Sequence, residues 1–482
     1  MSSQRRFLQV CLIVLLAAAL RLIFFQQFRS SDFYDCPVLD MRTYVQQAQV
    51  IAQDGLRGLG VIWRPPLYPA LLSLSLKFLD SLLPAMILQV LLSSLSAGLI
   101  YLVARRFTSD GIALAAAALY AVHWIAIFFS ALFLGTSLFV FLLLLALWLL
   151  LVSDATRTMP LIIAGLAAGL AALVRTEVLP CVLAWAAWIA WRKKFTHAAL
   201  FVVVVVIPIL PITIHNYRMT GEIIPVTAIG GYNFFVGNNA QADGKTVWAS
   251  KEALIELGVS EDLPPLENQS RYMKAAIGDI VKNPAQFVGL ILKKAYYLLN
   301  AYEISSNTDI YYVISDTSQM LAVLALFSFG ILLPLAMVGI AFGKYDRRAA
   351  VPVFLFVIPF ALVLLAFFIT ARFRSPLIPV LCVFAALGAS RIWSERKILL
   401  TSGRLMLLTF VFFLVFCNTQ LFGVTDPRDN LDLNLQQAFA FHGQQRMESC
   451  WKMLRHVLSV DPQSEPAAYL LRQLPEAPGG SK

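Results

Sequence analysis

Three aspartates stand close together near the start of the chain, in the stretch SSDFYDCPVLDMRTYVQQA at residues 30–48. Asp32, Asp35 and Asp40 fall within nine positions, directly after an apolar run. A carboxylate at the mouth of a dry cavity can serve as a general base, because desolvation raises its pKa towards the useful range. The stretch therefore predicts proton abstraction from a hydroxyl or amine held at a membrane surface.

Asp40 is the aspartate with a defined place in a helix. Met41, Val45, Ala48 and Ala52 form an apolar stripe at helical spacing, which predicts a helix along the membrane surface that begins at Asp40 and ends near 54–55. Tyr44 lies one turn beyond Asp40 and would share its polar face. A role for Asp40 as a simple N-cap is the alternative. Asp32 and Asp35 lie in the irregular lead-in and are expected to be solvated.

An arginine precedes two prolines where the chain becomes apolar again, in WRPPLYP at 63–69. The prolines exclude a regular helix start before Pro66 and fix Arg64 at the membrane boundary. Its planar guanidinium would match a phosphate bidentately, and Tyr68 would lie beside it. The alternative is an arginine that only anchors a helix end at the interface.

More arginines follow at two remote places, Arg175 with Glu177 in ALVRTE and Arg372 with Arg374 in ITARFRSPLIP. Both places fall at span ends on the side of the membrane that normally has few arginines. Convergence of these side chains with Arg64 would form a site for an anionic ligand at the outer leaflet. A mutual salt bridge between Arg175 and Glu177 is the competing interpretation.

The composition of the chain indicates that membrane-spanning segments must position these residues. The chain has 482 residues, of which 59% are hydrophobic and 14% charged, so it is predicted to be a polytopic membrane protein. The net charge of +10 comes from short clusters between apolar runs, so we expect no nucleic-acid partner. The six cysteines show no metal-ligand spacing and are expected to be packing residues.

A window of roughly 19 residues finds eleven apolar segments. They lie at about 7–28, 84–104, 111–130, 133–152, 160–174, 177–191, 198–214, 319–342, 350–370, 375–393 and 404–423. Basic residues cluster in six loops on one side, which the positive-inside rule makes cytoplasmic. The N-terminus is then inside, and the polar segments lie outside, with an active site on the outer face of what we expect to be a bacterial inner membrane.

Four parts follow from this topology. Residues 1–214 form an N-terminal transmembrane module with a first outer loop at 29–66, and residues 319–423 form the C-terminal transmembrane helices. Residues 215–318 are expected to form an extracytoplasmic α+β domain, because paired glycines separate short β-like runs. Residues 424–482 form an extracytoplasmic helical tail whose stretch 433–474 resembles a partial tetratricopeptide pair, which would need a neighbour or a protein partner.

The order of these motifs resembles that of the GT-C glycosyltransferases, in particular the branch of protein O-mannosyltransferases and the lipid A aminoarabinose transferase. The matching motifs are D-x-x-x-Y at 40–44, RPPLYP at 64–69, ALVRTE at 172–177 and RFRSPLIP at 372–379. The resemblance implies a polyprenyl-phosphate sugar donor, Asp40 as the catalytic aspartate, and Arg64 with Arg372 or Arg374 near the donor phosphate. The loop at 128–137 lacks the second acid of some relatives, so metal dependence and the choice between inversion and retention stay open.

Two other classes compete with a glycosyltransferase. A lipid or solute transporter or flippase would also be polytopic, but internal repeats and midplane charges are not found here. A non-catalytic membrane assembly subunit would explain the helical tail. Release of free polyprenyl phosphate from polyprenyl-phosphate sugars would separate the enzyme from both.

Overall fold

The structure, a computed structural model, describes residues 3–192, 194–260, 263–396 and 403–474. Over these residues the fold is entirely α-helical with short 3-10 turns, which confirms an all-α polytopic protein. Long apolar segments without polar interruption can satisfy their backbone groups in a membrane only as helices. The helices enclose one continuous apolar core that runs from the first helix to the tail.

Six helices are long and apolar enough to cross a bilayer, and a seventh span is a bent pair. The six are Gln4–Arg29, Leu83–Ala104, Thr136–Ser153, Phe195–Thr220, Gln319–Phe342 and Ala371–Ser394, and the bent pair is Asp110–Val122 with Trp124–Ala131. The other four predicted segments form shorter helices, Thr158–Ala172, Thr176–Trp191, Val351–Ala366 and Arg404–Asn418. All eleven apolar segments are thus helical, but four are shorter than the ~20 residues that span a bilayer.

The bent pair is stabilised by an arginine of the first helix. The two halves meet at His123 with an angle of 51°. Arg21, which is fully buried, donates to the carbonyl of Ala121 at 3.0 Å and to the Ser93 hydroxyl at 2.8 Å. Arg21 therefore satisfies a backbone carbonyl next to the break.

The first outer loop contains three helical pieces, Asp32–Asp35, Leu39–Asp54 and Gly55–Leu59. The middle helix has the predicted length, and its C-cap is Gly55 with φ of 69°, where a glycine avoids the strain of a left-handed backbone. The next helix, Leu67–Leu79, starts immediately after Pro66. The local chemistry of glycine and proline therefore sets these boundaries as the sequence predicts.

The outer segment at 215–318 contains no strand among its described residues, so the predicted β component is wrong. Its helices are Gly230–Asn238, Lys251–Glu256, Pro265–Lys282, Pro284–Leu299 and Ile310–Thr317. The glycines that suggested turns serve close helix packing instead. A Cβ on Gly231 would lie 2.4 Å from the carbonyl oxygen of Gln269, and one on Gly237 would lie 2.3 Å from that of Phe367.

The tail forms three helices, Leu431–Gly443, Met447–Val460 and Glu465–Gln473. Their breaks fall at Gly443 and Asp461, where the sequence predicts them. All six cysteines are free, and five of them are buried. The cysteines thus act as packing residues, as predicted.

Candidate active site

Asp40 lies in the first turn of the helix Leu39–Asp54 and faces a cavity. The N-cap of that helix is Val38, and no side chain caps it, so the interpretation of Asp40 as an N-cap is wrong. The preceding residue, Leu39, has φ of 51°, a left-handed conformation that is uncommon for a residue with a side chain. The Asp40 side chain is 26% exposed and binds arginines rather than backbone amides.

Two arginines from opposite ends of the membrane part hold the Asp40 carboxylate. Arg64 Nε donates to Oδ1 at 2.9 Å, and Arg372 Nη1 donates to Oδ2 at 2.5 Å. Pro65 and Pro66 fix the backbone after Arg64, while Arg372 lies in the short helix Ala371–Arg374, which Thr370 caps. Both carboxylate oxygens are therefore paired in the ligand-free site.

Tyr44 completes this cluster one turn after Asp40. Its hydroxyl accepts from Arg372 Nη2 at 3.3 Å, and its ring meets that of Tyr68 edge to face at 5.5 Å. Tyr68 does not line the cavity; its hydroxyl points towards the sulfur of Met86, at 3.9 Å. The structure thus places Tyr44 at the site and Tyr68 behind it.

The pKa of Asp40 reflects two opposing effects. Burial alone raises it, but the charges and hydrogen bonds of Arg372 and Arg64 outweigh burial and hold it below its usual value of 3.8. The expectation of a raised pKa is therefore wrong for the ligand-free protein. Asp40 is ionised at neutral pH and can accept a proton only where its arginine contacts are weakened.

Arg175 and Glu177 form the far side of the charged cluster. Arg175 Nη2 donates to Glu177 Oε1 at 3.2 Å, and Nη1 donates to the carbonyl of Arg372 at 3.0 Å. The guanidinium lies 4.5 Å from the ring centroid of Phe373, which favours the cation electrostatically. The salt bridge anticipated as an alternative thus exists, and both of its members also line the cavity.

Arg374 lies outside this cluster. Its Nη2 pairs with Glu303 Oε2 at 2.7 Å, and the two side chains are 2% and 1% exposed. The guanidinium also donates to the backbone carbonyls of Tyr297, Leu298, Asn300 and Tyr302. Arg374 is occupied by buried partners and does not line the cavity, so it is not placed to meet a ligand phosphate there.

The cavity has a volume of about 500 Å³ and three kinds of wall. One wall is the charged cluster, formed by Asp40, Tyr44, Arg64, Arg175, Glu177 and Arg372. A second wall is apolar, with Leu179, Pro180, Val363, Leu364, Phe367 and Phe368. The third wall is neutral and polar or aromatic, with Thr227, Tyr232, Asn233, Trp248, Ser306 and Asn307. Such a cavity can hold an anionic group, a polar ring and a lipid-like chain together.

Sequence reasoning missed Asn307 and Trp248. Asn307 Oδ1 accepts from the backbone N–H of Asp40 at 3.1 Å. The signal was the uninterrupted polar run SSNTD at 305–309, between two helices on the predicted outer side. Asn238 is buried and accepts from Lys294 Nζ at 3.0 Å, and it does not line the cavity.

The residues present do not fit a metal site. Both oxygens of Asp40 are paired with arginines, and Glu177 is paired with Arg175. Among the described residues, no three side chains of histidine, cysteine, aspartate or glutamate gather where they could hold an ion. Asp32 and Asp35 pair with Arg446 of the tail at 3.1 and 2.7 Å; the Asp32 side chain is 29% exposed, and that of Asp35 is 52% exposed, as expected for a solvated acid.

Residues 63–215 match the sequence profile of the family described as dolichyl-phosphate-mannose-protein mannosyltransferases. This segment starts at the RPPLYP motif and ends in the helix that leads to the outer segment. No protein of curated function matches the chain at a significant level.

Solved structures of an archaeal enzyme share the fold. The apo form of the Archaeoglobus fulgidus oligosaccharyltransferase aligns with a TM-score of 0.51 at 15% identity, over 100% of this chain and 61% of that one. The same enzyme tethered to an acceptor peptide gives 0.47 at 15%, over 100% and 60%. The A. fulgidus oligosaccharyltransferase AglB with an inhibitory peptide and dolichol-phosphate gives 0.45 at 14%, over 99% and 61%. This chain thus spans about three fifths of their length.

Proposed function

We propose that this chain, whose residues 63–215 match the dolichyl-phosphate-mannose-protein mannosyltransferase profile, is a membrane glycosyltransferase that moves a sugar from a polyprenyl-phosphate donor to an extracytoplasmic acceptor. Asp40 is the general base, and Arg64, Arg372 and Arg175 bind the donor phosphate. The observation that carries this proposal is the pairing of Asp40 with two arginines in a cavity whose other lining residues are mostly apolar or neutral.

The arginines suit a phosphate leaving group. Arg64 and Arg372 present fixed donors beside Asp40, and the cation of Arg175 is held by Phe373 and Glu177. Guanidinium groups stabilise developing charge on a phosphate without changing their own protonation. The apolar wall accommodates the start of the lipid chain, and the neutral wall accommodates a sugar ring.

The proposed step is a single displacement. Asp40 takes the proton of the acceptor hydroxyl or amine, and the freed electron pair forms a bond to the anomeric carbon. The bond from that carbon to the phosphate oxygen breaks, and its electron pair stays on the polyprenyl phosphate. Glu177, the other carboxylate lining the cavity, is paired with Arg175, which supports inversion without a covalent intermediate.

Donor binding would also activate Asp40. The donor phosphate competes for the arginine N–H groups that Asp40 occupies in the free protein. An added negative charge and lost hydrogen bonds both raise the pKa of a carboxyl group. Asp40 therefore becomes a base when the donor is in place, which limits unproductive proton transfer in its absence.

The proposal places the cavity on the outer face of a membrane crossed eleven times, in a bacterial inner membrane. Its charged residues come from three predicted outer loops, around residues 40–64, 175–177 and 372. Predicted inner loops meet elsewhere, since Arg105 pairs with Asp110 at 2.8 Å and Arg192 pairs with Asp154 at 3.3 Å. This separation of the two loop sets supports the assignment of the loops to opposite sides of the membrane.

Incubation of the purified protein with a panel of polyprenyl-phosphate sugars and acceptors tests the proposal. We expect release of free polyprenyl phosphate with at least one donor, in step with glycosylation of a lipid, polysaccharide or protein acceptor. Binding or translocation of the donor lipid without cleavage would overturn the proposal and favour a flippase.

A further inference from the structure

We propose that the C-terminal tail holds Asp40 in its working position, with Asn307 as the positioning residue that contacts it. This inference rests on the proposed role of Asp40 as the base. Two segments meet at the contact between Asp40 and Asn307, and one helix of the tail, Leu431–Gly443, binds both of them.

The contact between Asp40 and Asn307 is a hydrogen bond to the backbone of Asp40. Asn307 is 6% exposed, and its Oδ1 accepts the backbone N–H of Asp40 at 3.1 Å, while its Nδ2 donates to Ser306 Oγ at 3.3 Å. The residue before Asp40, Leu39, has φ of 51°. A left-handed leucine persists only where surrounding contacts determine the backbone, and the bond to Asn307 is one such contact.

The second step is the attachment of the outer loop to the tail. Gln437, which is 3% exposed, donates to the backbone carbonyl of Cys36 at 3.0 Å. Arg446 pairs with Asp32 and Asp35, which lie eight and five residues before Asp40. The rings of Phe33 and Phe441 meet at 5.3 Å. The lead-in to Asp40 is thus fixed to the tail by polar and apolar contacts.

The third step is the attachment of the Asn307 segment to the same tail helix. Asn434 Nδ2 donates to Asp309 Oδ2 at 3.2 Å, and the other oxygen of Asp309 caps the helix Ile310–Thr317 through the N–H of Tyr312. The Tyr312 ring lies 4.7 Å from that of His456 on the next tail helix. Asn434, Gln437 and Phe441 stand at helical spacing on one face.

These contacts form a brace around the base. The tail anchors the chain four residues before Asp40 and two residues after Asn307, so movement of the tail would shift both partners of the contact. A shift of about 1 Å in a catalytic group can cost about a hundredfold in rate. None of the tail residues that the structure describes, 424–474, lines the cavity, so their contacts act through position.

The test uses three variants of the full chain and two controls. Asn307→Ala removes the contact with Asp40. Gln437→Met removes the hydrogen bond to Cys36 and keeps a similar side-chain volume. Arg446→Ala removes the ion pairs with Asp32 and Asp35, and the Arg446 side chain is 44% exposed. Arg446→Lys retains the charge and serves as the conservative control. Gln436→Ala changes an exposed neighbour on the same tail helix.

We expect Gln437→Met and Arg446→Ala to lower kcat about tenfold while the KM for the donor changes less than about twofold, because neither side chain lines the cavity. Asn307→Ala should lower kcat at least as much, and its donor KM can change as well because Asn307 also lines the cavity. Their acid limb of kcat/KM should move to higher pH, since Asp40 would sit farther from Arg372. Arg446→Lys should recover part of the rate, and Gln436→Ala should match the parent.

Two results would contradict the proposal that the tail positions Asp40. One is an unchanged kcat and pH profile in all three variants of an active enzyme. The other is a loss of rate that only follows a loss of thermal stability and donor binding, since that describes a structural tail. A parent protein that cleaves no donor would instead reject the proposed function, so the two failures are distinguishable.

Discussion

Asp40 and Arg372 stand 332 positions apart in the chain, and their side chains meet at 2.5 Å. Asp40 belongs to the first outer loop, and Arg372 lies between the helices Val351–Ala366 and Ile378–Ser394. The charged cluster therefore exists only after the two ends of the membrane part have packed together. Neither end alone carries the carboxylate with both of its arginines.

Replacement of Asp40 by Asn should abolish sugar transfer and leave expression and donor binding nearly intact. The amide keeps the shape of the side chain but cannot accept the acceptor's proton. The loss should be at least about a hundredfold, within the range for general-base catalysis. Steady-state release of polyprenyl phosphate measures it. Asp54→Asn, the same change on an exposed residue at the end of the same helix, should retain full activity.

The acid limbs of kcat/KM and kcat should lie at different pH values. The limb of kcat/KM reports the free enzyme, in which the pKa of Asp40 is held below its usual value, so activity on this measure should persist to low pH. The limb of kcat reports the donor complex and should lie at higher pH, because the phosphate weakens the arginine contacts. Full rate profiles at saturating and limiting donor measure both.

Arg64→Ala should raise the acid limb of kcat/KM and weaken donor binding. One of the two cations that lower the pKa of Asp40 is lost, so the carboxyl gains its proton at a higher pH. Loss of a charge-assisted bond should cost about 1.5–3 kcal/mol of donor affinity. Arg57→Ala, on an exposed side chain of the same loop, is the matched control. If the variant and the parent had the same acid limb of kcat/KM and the same donor affinity, Arg64 would be only an anchor at the membrane interface.

Arg374→Met should destabilise the protein by about 3–5 kcal/mol, because it leaves the buried carboxylate of Glu303 without its cation. The double variant with Glu303→Met should recover part of the loss. Apparent unfolding temperature in one detergent at one scan rate measures this. Arg271→Ala breaks an exposed pair with Glu267 and should cost no more than about 1 kcal/mol. If Arg374→Met kept normal stability but bound the donor more weakly, Arg374 would instead be a donor-binding residue.

Lys294→Met should flatten the dependence of stability on alkaline pH. Burial lowers the pKa of Lys294 from 10.5 to about 7. Between these values the unfolded chain binds more protons than the folded one, so stability falls as the pH drops from 10.5 to about 7 and levels off below that. The variant should therefore differ from the parent most at pH 7 and progressively less towards pH 10. Exposed Lys282→Met should follow the parent slope.

Sequence reasoning succeeded where local chemistry decides the outcome. Gly55 ends the helix Leu39–Asp54 and Pro66 precedes the next helix, since glycine permits and proline forbids particular backbone angles. The positive-inside rule singled out arginines at the wrong membrane side, and Arg64, Arg175 and Arg372 lie at one cavity. Each of these signals is contained in a few neighbouring residues.

Sequence reasoning failed where the position of a side chain depends on packing between distant parts of the chain. Arg372 and Arg374 are two positions apart, and a helix turns about 200° over two residues, so the two side chains face different surroundings. No local sequence pattern shows which of the two faces the cavity. The glycines at 230–237 suggested strands because close helix contact and turns use the same residue type. The lowered pKa of Asp40 required knowledge that two arginines, one of them 332 positions away, reach it.

The bend at His123 bears on how the protein enters the membrane. An arginine at the centre of a span costs about 2.5–3.5 kcal/mol during insertion by the translocon, and a carbonyl freed by a bend is costly in lipid as well. The bond from Arg21 to the carbonyl of Ala121 removes part of both costs at once, but only after the first and third spans are adjacent. The two residues are a hundred positions apart, so this bond can form only after the third span has been synthesised.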